Sequence, residues 1–540
     1  SKTFPYYLAR RDAEDPDYIY LIPQSEESIW SVSTGWDKNR KVYMEFGIDY
    51  NRTFGLHKTT ALILYNQSKY YSPSLQYYVP NAYQGLVGRL TYEYASRYLA
   101  EFNMGYNGTE NFAKGKRFGF FPAVSLGWVI SEEKFFPKNN IVKYLKVRGS
   151  YGEVGNDQIG GDRFLYLPSS YGAASDSGVN KYNFGLASNP YTSLMIVENK
   201  IGNPDLTWEK AKKMNVGVDI NLFNNCLTAS FDIFKEKRNN ILANRSTSPM
   251  IIGANLPAYN FGEMENRGWE MDLNFRHHIQ DFHYWARFNY SFARNEIIYM
   301  DEVQKRYDYQ MTTGRRKNQF FGLIFDGYYN SWEEINALDR PKSSWSGNQL
   351  QPGDVKYVDV NQDGVIDDYD MVPIGYTPVP EIIYGFSFGA QYKGFDFSIL
   401  FQGADNVSIK YFGRSMWPFA KGEESAKSLI KERWTQERYE AGEKITFPRL
   451  SLNPNGETDH NYRPSTLWIR DASYLRLKNL EVGYTFTGGF VKRLNLNSVR
   501  LYFNGSNLFT WTDVVDLDPE APSRSGNVEI NTYPLQKVYN

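Results

Sequence analysis

The densest set of chemical groups lies in Asp359-Val-Asn-Gln-Asp-Gly-Val-Ile-Asp-Asp-Tyr-Asp370. Oxygen-bearing side chains fall at positions 1, 3, 5, 9 and 12 of this segment, as Asp359, Asn361, Asp363, Asp367 and Asp370. Gly364 stands at position 6, where a cation-wrapping loop bends sharply, and Val365 offers its carbonyl at position 7. Hard cations take about six to eight oxygens, so the spacing points to a calcium loop within residues 354–372. Aspartate at position 12 has a shorter arm than glutamate. That implies weaker calcium binding and more tolerance of Mg2+. The plainer alternative is an Asn/Asp/Gly-rich turn with no metal. An ion here would staple a long loop and take no catalytic part.

Other reactive groups are sparse. The chain has five histidines and one cysteine, Cys226. His277 shares parity with outward Phe275, whereas His283 falls opposite Phe282, so they point apart and make no zinc site. Cys226 sits in a tight turn with no neighbouring base suggested, which argues against a nucleophile. A single cysteine also excludes a disulfide framework within the chain. Glu132-Glu133 and Glu423-Glu424 are adjacent pairs. Neighbours on a strand face opposite ways, so these read as solvated loop charge and not as a glycosidase pair. Gly314-Arg-Arg-Lys317 is too short a basic run for nucleic acid, and 60 basic against 61 acidic residues leave no basic footprint. Tyr171, Tyr182, Phe184 and Tyr191 could stack on sugar rings or peptide side chains, or equally pack the loops together. No substrate-contacting residue is assigned, and no enzyme activity is expected.

The elements that must position these groups are strands. Val42, Met44, Phe46, Ile48 and Tyr50 alternate with Lys41, Tyr43, Glu45, Gly47 and Asp49. Met214, Val216, Val218, Ile220 and Leu222 alternate against Lys213, Asn215, Gly217, Asp219 and Asn221. Successive side chains on a strand face opposite ways, so each segment has one apolar and one polar face. Soluble strands run about 5 or 6 residues, and tilted membrane strands about 9 to 11. These segments are of the longer kind. Fourteen strands are expected near 41–52, 58–69, 85–96, 97–107, 119–130, 144–154, 211–223, 226–239, 264–278, 281–295, 381–393, 395–408, 473–486 and 498–511.

Their connections are asymmetric. Phe223-Asn-Asn-Cys226 and His277-His-Ile-Gln-Asp281 are tight, whereas 155–207, 297–380 and 409–472 are long and irregular. Short turns at one end and long loops at the other is the layout of an outer-membrane barrel. The 43 Tyr, 35 Phe and 12 Trp would supply its interfacial girdles, although a sugar-binding β protein is also aromatic-rich. Two helical pieces are expected in the loops: one capped at Ser331-Trp-Glu-Glu334 with capping-box spacing, and one from Glu423 to about Arg438.

Several stretches resemble the SusC/RagA-type TonB-dependent transporters of Bacteroidetes outer membranes. They are Gly85-Leu-Val-Gly-Arg-Leu90, Tyr98-Leu-Ala-Glu-Phe-Asn103, Arg117-Phe-Gly-Phe-Phe-Pro122 and Val147-Arg-Gly-Ser-Tyr-Gly152. Arg433-Trp-Thr435, Phe447-Pro-Arg-Leu450, Tyr474-Leu-Arg-Leu-Lys-Asn-Leu480, Asn507-Leu-Phe-Thr-Trp511 and Tyr533-Pro-Leu-Gln536 continue the likeness in order. The resemblance implies an all-β transmembrane antiparallel barrel. Residues 1–540 would be its C-terminal part, about 14 strands of a 22-stranded plugged barrel, with the plug and N-terminal extension outside the sequence. The opening Ser-Lys-Thr-Phe-Pro-Tyr-Tyr reads as mid-chain, and Asn540 falls inside the expected last strand.

The resemblance further implies TonB-dependent import of an oligosaccharide or oligopeptide across the bacterial outer membrane. The implied partners are a SusD-like surface lipoprotein, the TonB complex, and membrane lipid or lipopolysaccharide. Two alternatives stand beside it: a secreted all-β glycan-binding protein or carbohydrate-active enzyme, and a signalling receptor of the same fold.

Overall fold

The computed structural model describes residues 7–11, 19–23, 38–75, 78–158, 163–173, 181–185, 191–194, 196–247, 256–345, 350–411, 417–419, 428–451, 459–515, 517–520 and 535–540. Contacts group residues 1–43 with 68–82, and 44–67 with 83–540. In the first unit, Tyr7–Arg11 and Ile19–Pro23 form an antiparallel hairpin. The Arg40 guanidinium in that unit lies 4.8 Å over the Tyr71 ring.

One antiparallel sheet of 15 strands dominates the described residues. It begins with β1 (Arg40–Phe54), β2 (His57–Tyr71), β3 (Asn81–Tyr94), β4 (Tyr98–Thr109) and β5 (Phe118–Val129). Then come β6 (Val142–Asn156), β7 (Glu209–Leu222), β8 (Leu227–Ala243), β9 (Tyr259–Ile279) and β10 (Phe282–Tyr299). It ends with β11 (Ile382–Tyr392), β12 (Phe395–Asp405), β13 (Tyr474–Phe486), β14 (Val499–Thr512) and the short β15 (Val538–Tyr539). Each strand pairs with its neighbours in chain order. All fourteen expected strands form, most with ends within a few residues of the expected bounds.

Pairing carries the sequence alternation across strands. Leu90, Phe102, Val124, Tyr151 and Met214 stand side by side on one face of β3 to β7. Thr91, Glu101, Ser125, Ser150 and Asn215 line the other. The apolar row is not covered by protein: Phe102 is 44% exposed and Val216 58%. No described helix is long and apolar enough to cross a membrane.

From β6 onward the connections alternate in length as expected. Residues 55–56, 223–226, 280–281 and 393–394 close strands tightly at one end. In the 223–226 turn Phe223, Asn224 and Asn225 all have positive φ, which asparagine tolerates well. At the other end run 157–208, 300–381 and 406–473. These are not irregular coils. The 157–208 stretch holds two small hairpins, Ser169–Ala173 with Ile196–Lys200 and Lys181–Phe184 with Tyr191–Leu194.

The two later loops fold onto one another around Leu323, Val355, Tyr357, Ile409, Phe447 and Trp468, all at most 4% exposed. A short ladder braces each loop internally, Phe325–Tyr328 with Val355–Tyr357 and Ser408–Lys410 with Ile469–Asp471, and a bridge between Leu323 and Ser465 joins the two. Helix α1 (Trp332–Asn336) starts at Ser331, whose hydroxyl accepts from Glu334 N at 3.3 Å. The reciprocal half of the expected capping box is absent, because the Glu334 carboxylate turns to Asn330 N and Lys356 Nζ, each at 2.8 Å.

The expected helix from Glu423 to Arg438 is broken. Residues 421–427 lie outside the described set; beyond them the chain forms a 3-10 turn, Ser428–Glu432, then α2 (Gln436–Glu440) capped by Thr435. Trp434 sits at the break, buried against the loop core, and its Nε1 donates to Asn330 Oδ1 at 3.1 Å. Burying that indole outweighs continuing the helix.

Candidate functional site

The polar sheet face is built around charged clusters. Arg148 on β6 donates to Asp232 Oδ1 and Oδ2 on β8, each at 2.7 Å, and to Asp219 Oδ2 on β7 at 3.1 Å. Ser230 Oγ donates to Asp219 at 2.8 Å. Gly217 makes room, since a Cβ there would stand 2.6 Å from Asp232 and 2.7 Å from Arg148. Further along, Arg500 on β14 bridges Asp396 on β12 and Glu481 on β13. Charges paired in this way need water on their open side. Thr60, Glu101, Ser125, Lys146, Arg148 and Asn215 line a trough of about 380 Å³ on this face. A second hollow of about 300 Å³ lies toward the long-loop end, lined by Glu236, Arg238, Asn266, Asn295, Arg316 and Glu381.

In the acidic loop the expected donors are brought into one turn, but they face their own backbone. Asp359 accepts from Gln362 N at 2.7 Å and Gly364 N at 2.8 Å. Asn361 Oδ1 accepts from Asp363 N, and Asp363 Oδ1 from Val365 N, both at 3.0 Å. Gly364 has φ +81°, a value that glycine adopts without strain. Asp367 caps a 3-10 turn at Tyr369, and the capping box falls here, with Asp370 returning to Asp367 N at 2.9 Å. Asp370 is fully buried and also accepts from Val360 N at 2.8 Å and Asn361 N at 3.3 Å.

Burial, with the Asp359 charge adding, pushes the Asp370 carboxyl above its ordinary range against those amide bonds. The loop is moored outside as well: Lys342 and Ser343 pair in parallel with Val365 and Ile366, and Tyr309 Oη donates to Tyr369 O at 2.7 Å. Among the described residues, no three His, Cys, Asp or Glu side chains are gathered closely enough to hold a metal ion.

The loop core encloses a polar network. Asp354, buried, pairs with Arg449 at 2.6 Å and accepts from Asn461 Nδ2 at 2.8 Å. Asn461 Oδ1 in turn accepts from Val355 N at 2.9 Å. His460 Nε2 lies 2.8 Å from Val355 O, which can only accept, so that nitrogen carries the proton and Nδ1 accepts from Ser343 Oγ at 3.2 Å. Burial pushes this imidazole below its ordinary value and pushes neighbouring Asp459 above its own.

Three placements differ from the sequence reading. Cys226 does have a base beside it, with Sγ 3.4 Å from His277 Nδ1, because β8 and β9 pair just beyond the turn. Glu133 is buried rather than solvated and accepts from Tyr98 Oη at 2.6 Å, while Glu132 faces Lys138 at 3.6 Å. Arg316, from the basic run, joins Arg294 on buried Glu381 at the start of β11.

His277 and His283 point apart as expected, but His278 stacks on His283 at 5.5 Å. Tyr182 and Phe184 are exposed, with ring centroids 6.2 Å apart. The side chains of Tyr171 and Tyr191, and Glu423-Glu424 entirely, lie outside the described residues.

Comparison with known proteins accounts for this arrangement. Residues 3–508 match the family described as TonB dependent receptor-like, beta-barrel. The TonB-dependent receptor P3 of Formosa agariphila is 29% identical over 450 residues, covering 82% of this chain and 42% of that protein. The TonB-dependent receptor SusC of Bacteroides thetaiotaomicron is 28% identical, covering 86% and 43%. The chain thus spans less than half the length of these curated relatives. A solved structure of the RagAB peptide transporter superposes with a TM-score of 0.68 at 22% identity, covering 93% of this chain and 55% of that one. The chain belongs to the TonB-dependent receptor β-barrel family, and its place is the bacterial outer membrane.

Proposed function

We propose that the whole protein imports a nutrient oligomer, an oligosaccharide or an oligopeptide, across the outer membrane in a TonB-dependent cycle. Residues 1–540 form the later part of its barrel. A SusD-like surface lipoprotein is the expected partner at the long-loop end, which faces the cell exterior. The protein is a transporter and not an enzyme.

The observation that carries this reading is the division of the sheet into one exposed apolar face and one continuous polar face. Loops with their own buried core stand at a single end of that sheet. An apolar face suits lipid, a charged face suits a watery bore, and a folded rim gives a partner a fixed surface. The secreted alternative drawn from composition fails against the family match and the outer-membrane placement.

Deleting the full-length gene tests the reading. Growth on one class of oligomer should fail while growth on its monomer continues, and a surface lipoprotein should co-purify with the tagged protein. Unchanged uptake of every oligosaccharide and oligopeptide tried, with the protein verified in the outer membrane, would contradict it.

We further propose that the 359–370 loop takes a calcium ion, held by Asp359, Asn361, Asp363, Asp367, Asp370 and the Val365 carbonyl. The donor chemistry and the Gly364 bend support this. Metal analysis of the purified full-length protein and of its Asp359→Ala/Asp363→Ala variant checks it. Equal calcium content in the two proteins overturns it.

A further inference from the structure

We infer that His278 and His283 form a binding site for a late first-row divalent cation, Zn2+ or Cu2+, on the polar face of the sheet at its short-turn end. The inference stands apart from what the protein imports and needs only that this face is wetted.

Three of the five histidines fall within residues 277–283, around the tight turn between β9 and β10. Strand parity divides them. His277 sides with Phe275 and lies beside Cys226. His278 continues the polar row of Asp272, Asn274 and Arg276, and His283 stands directly opposite it on β10. Opposed side chains on an antiparallel pair start from Cβ atoms about 4.5–5.5 Å apart, close enough for two imidazoles to share one ligand. Their ring centroids lie 5.5 Å apart, with planes 24° from parallel. A metal at about 2 Å from one nitrogen of each ring sets the centroids about 5.2–5.5 Å apart, at tetrahedral to trigonal angles. The spacing fits.

The other histidines are already engaged. His57 Nδ1 lies 2.8 Å from Tyr92 Oη, His460 bonds to Val355 O and Ser343 Oγ, and His277 meets Cys226 Sγ. His278 and His283 are exposed and have no hydrogen bond or ion pair among the described residues. Each neutral imidazole therefore keeps a bare nitrogen lone pair, the donor that suits zinc and copper, whereas calcium and magnesium prefer oxygen. Gln391 on β11 is next along the same row and offers an amide oxygen. Water fills the remaining positions, so the site is open, unlike the four-ligand cage of a structural zinc. An ion held here ties β9 to β10 through side chains, in addition to their backbone pairing.

The test uses the full-length, untagged protein in detergent, stripped beforehand with a chelator. Zn2+ and Cu2+ are titrated by calorimetry, and electron paramagnetic resonance reads the nitrogen couplings of bound Cu2+. One ion per chain should bind with two nitrogen ligands. His278→Ala and His283→Ala should each weaken binding on the order of 100-fold, because one imidazole alone loses the effective concentration of its neighbour. His277→Ala on the opposite face, and Asp359→Ala/Asp363→Ala in the acidic loop, should leave it unchanged. Absence of binding by both ions overturns the proposal, as do affinity and nitrogen couplings undiminished in the His278→Ala/His283→Ala double variant. So does displacement by an equal concentration of calcium, which marks an oxygen site. Heat-modifiable migration of each variant confirms folding. A protein that imports its substrate normally but binds neither ion sinks this inference alone.

Discussion

Phe102 and Trp468 are both large aromatic side chains, yet 44% of the first is exposed and only 2% of the second. Phe102 stands on the sheet, where every second residue is apolar and no protein layer covers it. Trp468 stands in the loops, where its ring packs on Phe447 and Tyr462 at 5.5 and 5.4 Å and its Nε1 donates to Asn461 O at 2.8 Å. The sheet leaves its apolar surface for a solvent made of hydrocarbon; the loops bury theirs against themselves, as a water-soluble domain does. One chain thus obeys two rules of burial, and the boundary between them falls at the strand ends.

The difference can be broken from either side. The largest effect is expected in the loops. Trp468→Ala should destabilise them by about 3–5 kcal/mol, by cavity formation and loss of a satisfied indole. Hydrogen exchange should show faster exchange at 321–328 and 461–469 with no change in β8. On the sheet, Val124→Arg should cost about 2–4 kcal/mol, because a cation would stand in the apolar band. Urea titration of the protein folded into vesicles measures it, and Phe102→Ala in the same assay should change far less, since lipid replaces the ring.

Ser331→Ala removes the cap of α1 and should cost about 1 kcal/mol, confined to the loops. The smallest effect is pH-dependent. Burial lowers the His460 pKa in the folded state, so the unfolded chain takes up the proton first as pH falls. The stabilising contribution is complete above about pH 6.5 and is lost below it, toward the depressed folded value. The stability advantage of the native loops over a His460→Gln variant should therefore shrink between pH 7 and pH 5.

This division also explains what the sequence disclosed. Period-two alternation located the long strands of the sheet, because a strand with lipid on one face and water on the other cannot break the pattern without cost. The loop core follows no period. Its residues come from positions far apart in sequence: Val355 and Ile409 lie on three-residue strands, Leu323 and Phe447 on isolated bridges, and Trp468 in a turn. The same loops hold Arg433-Trp-Thr435 and Phe447-Pro-Arg-Leu450, which carried the family likeness without showing why. Arg433 and Phe447 form a bridge, Thr435 caps α2, and Arg449 neutralises buried Asp354. The Cys226–His277 and Arg316–Glu381 contacts were equally illegible, since each joins residues through strand pairing or loop closure rather than spacing. In the acidic loop the spacing foretold the turn and its glycine; the backbone amides that occupy its carboxylates emerge only in three dimensions.

The most direct measurement is labelling from the lipid phase along β8. Cys226 is first replaced by serine, and single cysteines are placed at residues 230 to 233 of the full-length protein in membranes. A membrane-dissolved, thiol-reactive probe should label positions 231 and 233, which carry Phe231 and Ile233, and spare 230 and 232, which carry Ser230 and Asp232. Equal labelling of both sets, or labelling of 230 and 232 alone, would show that the apolar face does not meet lipid, and the two rules of burial would collapse into one.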